Sequence, residues 1–245
     1  MKRLFLILSI AIFLFSSCSV TQSFSLSKSG GSSLSDIKVD QFFLDVLEDF
    51  SDFTPQGDYS IMDEAMVNFA DKLNSSSASS NVKLRTDGNS TRYIISLDFS
   101  SLEKLVADLN GGKGNSLLAI SDNKMTLNLT YDNYEELEDV IPFLSDPNFE
   151  VYGPRYSNGM SEEEYMDMIS FLLGEDGPEA LKKSFVSIEI ETPGDITAIK
   201  GAMKTGERKA VYSFPVVDFL TLNNPLSFTI EWNNSFPIYR TKDSF

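Results

Sequence analysis

Cys18 is the single cysteine in a chain of 245 residues that contains no histidine, and those two counts decide most of the available chemistry. A thiolate can attack an electrophile or hold a metal, but cysteine proteases need a base beside the thiol and zinc sites need several soft ligands. Without histidine the commonest general base is missing as well. No Gly-x-Ser-x-Gly elbow, phosphate loop or dinucleotide fingerprint occurs. Carboxylate pairs are then the remaining route to hydrolysis, and the densest acid groups are Glu135-Glu136-Glu138-Asp139 and Glu162-Glu163-Glu164. A glycosidase needs two such groups set across a cleft. Both clusters fall in the first turns of predicted helices, where the helix dipole favours negative charge, so they are read as helix-start residues. Asp108-Leu109-Asn110-Gly111-Gly112-Lys113 opens like a calcium loop, but glycine at the fifth place, lysine at the sixth and no glutamate at the twelfth break the ligand pattern. The sequence predicts no catalytic residue, no metal site and no cofactor.

Recognition chemistry has one candidate stretch, Phe149-Glu150-Val151-Tyr152-Gly153-Pro154-Arg155-Tyr156. Tyrosine and arginine offer stacking area with polar tips, and loops held by a scaffold often carry function. Tyr152, Arg155 and Tyr156 are the candidate binding residues; aromatics that merely fill space between elements are the competing reading.

Cys18 has a third use, set by what precedes it. Lys2 and Arg3 are followed by apolar runs from Leu4 to Leu8 and from Ile10 to Phe15, then Ser16-Ser17-Cys18. This is the order of a charged region, a short apolar region and a small-residue cleavage site. The apolar stretch is about a dozen residues, below the roughly 20 that span a bilayer core. Ser16-Ser17-Cys18 resembles the lipobox of bacterial lipoproteins, in the relaxed form found in spirochaetes because Phe15 stands where leucine, valine or isoleucine is usual. The resemblance implies cleavage before Cys18, acylation of that cysteine and a cell-envelope location, at an outer membrane, facing a periplasm or at the cell surface. Ser19, in place of an aspartate, disfavours inner-membrane retention by the same family habit. Several acyl chains make a lasting anchor where one would not. The competing reading is an ordinary secretory signal with a stray cysteine. With one cysteine, no intramolecular disulfide can form.

About 228 residues remain after residues 1–17 leave, enough for a single α+β domain over 23–245 joined to Cys18 by a short tether, 18–22. Losing Lys2 and Arg3 takes the formal charge from −16 to −18. A field of that sign repels nucleic acid, so no nucleic-acid partner is expected.

The periodicities supply the elements that would position these residues. Ser23–Ser27 and Leu34–Val39 alternate around the Ser29-Gly30-Gly31-Ser32 turn, which reads as a hairpin. Phe42, Phe43, Val46, Leu47 and Phe50 then repeat at helical spacing, and after a break at Thr54-Pro55-Gln56-Gly57 so do Ile61, Ala65, Met66, Phe69 and Leu73, with Ser60 as N-cap. Asn74 to Ser80 reads as a flexible serine-rich loop. Val82–Arg85 and Tyr93–Phe99 form a second hairpin about Asp87-Gly88, followed by a helix with a capping box from Ser100 to Glu103. Leu117–Ile120 and Met125–Tyr131 give a third hairpin, followed by a helix toward Phe143. Ser161 and Glu164 cap another helix, a short one covers Pro178 to Lys183, and the C-terminal part is strand-rich from Phe185 to Trp232. Whether the recurrence of hairpin then helix is a true repeat stays open. The expected fold is α+β, with antiparallel β-hairpins alternating with amphipathic helices and the helices packed on one face of the sheet.

An early hairpin after the lipidated cysteine, further hairpins and helices, the segment Ile190-Glu191-Thr192-Pro193-Gly194-Asp195-Ile196, and strands ending near Trp232 resemble envelope lipoproteins of the LppM type. The resemblance implies an envelope role with lipid or glycolipid contact and carries over no catalytic residue. The sequence reading is a non-enzymatic envelope lipoprotein, tethered to the membrane through the lipid on Cys18, that binds a hydrophobic or amphiphilic ligand or another envelope protein. A carboxylate-dependent glycan hydrolase and a surface-exposed interaction protein stay as alternatives.

Overall fold

The computed structural model describes residues 18–51, 61–87 and 91–233. The signal segment 1–17, the Thr54-Pro55-Gln56-Gly57 break, the Ser60 cap and Gly88 lie outside the described residues. In chain order the elements are strands β1 (Ser19–Ser27) and β2 (Gly30–Lys38), helices α1 (Gln41–Ser51) and α2 (Ile61–Ser75), strands β3 (Ser79–Thr86) and β4 (Arg92–Phe99), and helix α3 (Leu102–Leu109). Next come β5 (Leu118–Ser121), β6 (Lys124–Leu129), α4 (Tyr134–Val140), the one-turn helices α5 (Pro147–Glu150) and α6 (Pro154–Ser157), α7 (Glu162–Leu173) and α8 (Gly177–Lys182). The described chain closes with β7 (Phe185–Glu191), β8 (Ile196–Lys200), β9 (Met203–Lys204), β10 (Lys209–Pro215), α9 (Val216–Thr221) and β11 (Leu226–Trp232).

The class is α+β, as the patterning indicates, built on two sheets. Seven strands run in the order β3-β4-β2-β1-β7-β10-β9 and four in the order β5-β6-β11-β8. Among the described residues every pairing is antiparallel except one. β1 lies parallel to β7, Ser19 facing Phe185 and Phe24 facing Ile190. Hairpin signals could not announce this pairing, because a parallel neighbour comes from far along the chain.

Alternation decides which side chains turn inward. Phe24 is opposite Ser33 and Ile190, and Ser33 is opposite Leu97, so Phe24, Leu26, Ile95, Leu97, Phe99, Ile190 and Ala210 share the inner face. Buried Met62, Met66 and Leu73 bring α2 onto this face beside β3. The four-stranded sheet shares the same face with the helices, its Phe228 ring packing 5.3 Å from Tyr212 of β10. Gln22 is polar yet inward, and it is satisfied there: its amide nitrogen donates to Ser33 Oγ at 2.7 Å and its oxygen accepts from Ser35 Oγ.

Four expectations are corrected in detail. The tether over 18–22 is absent, because β1 starts at Ser19 and pairs on both sides from that residue onward. The serine-rich stretch is an ordered turn, since Ser76 Oγ and the Ser77 amide and hydroxyl all donate to the Asp108 carboxylate. Helix α3 is capped by Ser101, whose Oγ accepts from the Lys104 amide at 3.2 Å, while Glu103 reaches away to accept the Ile120 amide at 2.9 Å. Finally, the first hairpin turns at Lys28-Ser29, with Ser27 opposite Gly30. Gly30 has φ +125°, and a Cβ there would sit 2.1 Å from the Phe99 carbonyl oxygen. Gly30→Ala is expected to destabilise the fold by about 3 kcal/mol, from backbone strain plus a backbone clash, read as a lower midpoint in urea unfolding.

Candidate functional site at Cys18

Four connections meet at one end of the large sheet. β1 begins there just after Cys18, β2 leaves it for α1, α8 enters β7 through Ser184, and β10 passes directly into α9. The helices at these junctions turn their apolar faces toward one another and form a core of their own, with Tyr165, Met166, Ile169, Leu173, Leu181 and Val217 buried. Where they fail to close completely they leave an apolar cavity of about 190 Å³, and Cys18 is part of its wall.

The wall is made by Phe43 and Val46 of α1, Met62 of α2, Ile169 and Leu173 of α7, Leu181 of α8, and Val216 and Leu220 of α9. Val39, Phe149, Tyr152 and Ser184 complete it. The Tyr152 carbonyl and the Ser184 hydroxyl in this wall are spoken for. Tyr165, fully buried, donates its hydroxyl to the Tyr152 carbonyl at 2.7 Å. Ser184 Oγ donates to the Ala180 carbonyl at 2.9 Å and accepts the Cys18 amide at 3.1 Å.

Cys18 is held at three points. Besides its amide bond to Ser184, its carbonyl accepts from the Phe185 amide at 3.2 Å, and its sulfur accepts from the Asp40 amide at 3.3 Å. Burial pushes the thiol up from 9.0 to about 11, with the Asp40 charge adding to the rise and the Asp40 amide and Ser184 hydroxyl opposing it. A thiol in this setting is a poor nucleophile at neutral pH.

The three residues of the aromatic segment are sent to different places. That segment is two helical turns, α5 and α6, joined at Val151 to Gly153. Tyr152 turns inward and joins Cys18 in the cavity wall. Arg155 is committed to a salt bridge: its Nε lies 2.8 Å from Glu138 Oε1, its NH2 group also contacts Glu138, and Glu150 stands 3.7 Å away. Tyr156 points outward, 57% exposed and outside the wall. Of the candidate residues the structure brings Cys18 and Tyr152 into one wall, together with Val46, Leu181, Val216 and Leu220, which the sequence reading did not single out as site residues. Helical spacing marked Val46 only as apolar, and nothing in such spacing separates a cavity wall from a packed core.

Most of the acid clusters are tied into structure. Glu138 is buried against Arg155, Glu136 accepts the Ser116 amide and hydroxyl, Asp139 pairs with Lys113 at 2.5 Å, and Glu164 closes the capping box with Ser161. Glu162 and Asp218 do face one shallow cleft of about 360 Å³. Partial burial and then the Glu162 charge raise Asp218 from its ordinary value. No group of three or more histidine, cysteine, aspartate or glutamate residues positioned for a metal occurs among the described residues, and none of their helices is long and apolar enough to cross a membrane.

The outer face of the large sheet carries a second concavity, a trough of about 760 Å³ running across the strands. Ser23, Ser25, Ser32 and Ser96 form much of its floor, Leu34 is 44% exposed within it, and Glu189, Glu191, Lys83 and Lys209 stand around it. Ser23 Oγ donates to Glu189 Oε2 at 3.0 Å. No protein-family model matches the chain, and no curated protein matches it.

Proposed function

We propose that this chain is a membrane-tethered envelope lipoprotein that binds rather than catalyses, acylated on Cys18 and taking the apolar part of a hydrophobic or amphiphilic ligand next to its anchor. The observation that carries the reading is the position of Cys18 in the wall of a cavity lined almost wholly by aliphatic and aromatic side chains. Support comes also from the row of residues beside the anchor. Ser19 has Lys38 and then Arg92 on one side and Phe185 on the other, all on the outer face. Lysine and arginine stems with an aromatic ring suit a lipid–water boundary. The trough on the same outer face is ligand-sized and would meet an envelope protein partner. Intact mass of the purified full chain tests the reading: a mature form starting at Cys18 and carrying acyl groups supports it, and a chain cut elsewhere or bearing no lipid sinks it.

The cleft shared by Glu162 and Asp218 favours the hydrolase as a second reading. Both carboxylates are exposed, whereas an acid catalyst is usually shielded so that its proton is retained at neutral pH. The wild-type chain is expected to release no product from envelope glycans. Turnover that disappears in both Glu162→Gln and Asp218→Asn would establish the enzyme instead.

A further inference from the structure

We propose that the cavity beside Cys18 houses a stretch of one acyl chain of the lipid carried on that same cysteine, so that the anchor is partly folded into the protein. The inference rests on the acylation of Cys18 proposed above and adds where the chain goes. An apolar cavity of about 150 Å³ takes up a benzene ring, so one of about 190 Å³ has room for roughly half a dozen methylene groups. That is a segment of an acyl chain and too little for a whole lipid.

The chemistry of the wall selects an alkyl segment over a free amphiphile. Almost no polar atom faces the cavity, and the Tyr152 carbonyl and the Ser184 hydroxyl already have partners, so a polar headgroup brought inside would lose hydration for little in return. A chain attached at Cys18 has no headgroup to bring in. Its linkage begins in the wall, which gives it a high effective concentration over any untethered lipid. The contacts that position Cys18 also survive modification. An N-acylated cysteine keeps an amide N–H for Ser184, a thioether sulfur keeps lone pairs for the Asp40 amide, and the Cys18 carbonyl is unchanged. The bilayer interior is about as apolar as the cavity, so hydrophobic transfer alone favours neither site. Close contact with Phe43, Leu181, Val216 and Leu220, packed more densely than fluid lipid, favours the cavity.

The test uses the full chain made in a lipoprotein-processing bacterium fed a fatty acid with a photoactivatable group along its chain. After purification and irradiation, peptides are mapped by mass spectrometry. The expected result is a crosslink joining the Cys18 peptide, through its acyl chain, to peptides carrying Phe43 or Val46, Leu181, and Val216 or Leu220. Val216→Trp and Leu220→Trp, two independent ways to fill the space, are expected to abolish those crosslinks while Cys18 stays acylated. Acylated Cys18 whose crosslinks fall only on phospholipid or on exposed residues overturns the inference and leaves the lipoprotein reading standing. Cavity peptides modified by a fatty acid not joined to Cys18 also overturn it, in favour of a free ligand. Absence of any acyl group on Cys18 removes both readings together.

Discussion

Unlipidated, folded protein is expected to alkylate at Cys18 at least about tenfold more slowly at pH 8 than the same chain in urea, because the thiol is pushed from 9.0 to about 11. A rise of that size lowers the thiolate fraction at pH 8 about a hundredfold, and the greater nucleophilicity of a more basic thiolate returns roughly a factor of ten. Burial in the cavity wall slows the reagent further. The rate should climb through pH 11 in the folded protein and through about pH 9 in urea. Its effect on stability has a definite sign. A raised pKa means the neutral thiol is favoured in the fold, so the contribution is fully present below pH 9 and is lost as pH rises through about 11. Equal rates in native buffer and in urea, measured with iodoacetamide and intact mass, would show that Cys18 is open in solution.

On the proposed reading, the same shielding orders the events of maturation. A modifying enzyme must reach the Cys18 sulfur, yet in the folded domain that sulfur is in a cavity wall and the next residue is already paired on both sides. The parallel partner of β1 starts at Phe185, so β1 cannot take its place until most of the chain is present. On the proposed reading, lipid addition precedes closure of the sheet, and the finished sheet then holds the domain directly at the membrane with no tether between.

Strands and helices were legible where burial on one face imposes a period. Tyr93, Ile95, Leu97 and Phe99 alternate because only one side of β4 meets the core, and Ser161 with Glu164 marks the start of α7 because orphan amides need acceptors there. What escaped depends on distant pairs. Nothing near Ser19 says that Phe185 will lie beside it, so the first residues of a central strand, 19–22, were read as a tether while Ser23–Ser27 was read as strand. Ser76 and Ser77 look like linker residues until Asp108, 32 and 31 positions away, gathers them. Arg155 looked like a recognition residue because its partner, Glu138, belonged to an acid cluster that seemed complete as a helix start. Of the cavity wall the sequence singled out only Cys18 and Tyr152, each for another reason, since a cavity is what remains after packing and leaves no mark of its own in the sequence.

Arg155→Met is expected to destabilise the protein by about 2 kcal/mol and, on the proposed reading, to leave acylation of Cys18 unchanged. Glu138 is 5% exposed, so removing its cation strands a carboxylate away from water; losses for buried pairs run to roughly 3–5 kcal/mol, and the half-exposed guanidinium argues for a smaller figure here. Adding Glu138→Gln to Arg155→Met should recover part of the loss, because a neutral amide is cheaper to bury than an unpaired charge. The pair also joins α4 to α6, and α4 in turn meets α9 through Tyr134 and Phe219, whose rings lie 6.0 Å apart. Between α5 and α6 sits Tyr152, in the wall of the cavity. A loss of stability in urea accompanied by fewer acyl crosslinks at the cavity would therefore mean that the salt bridge holds the wall in shape. A recognition role for Arg155 predicts the opposite pattern, with unchanged unfolding and a lost partner, and that outcome would return Arg155 to the binding surface.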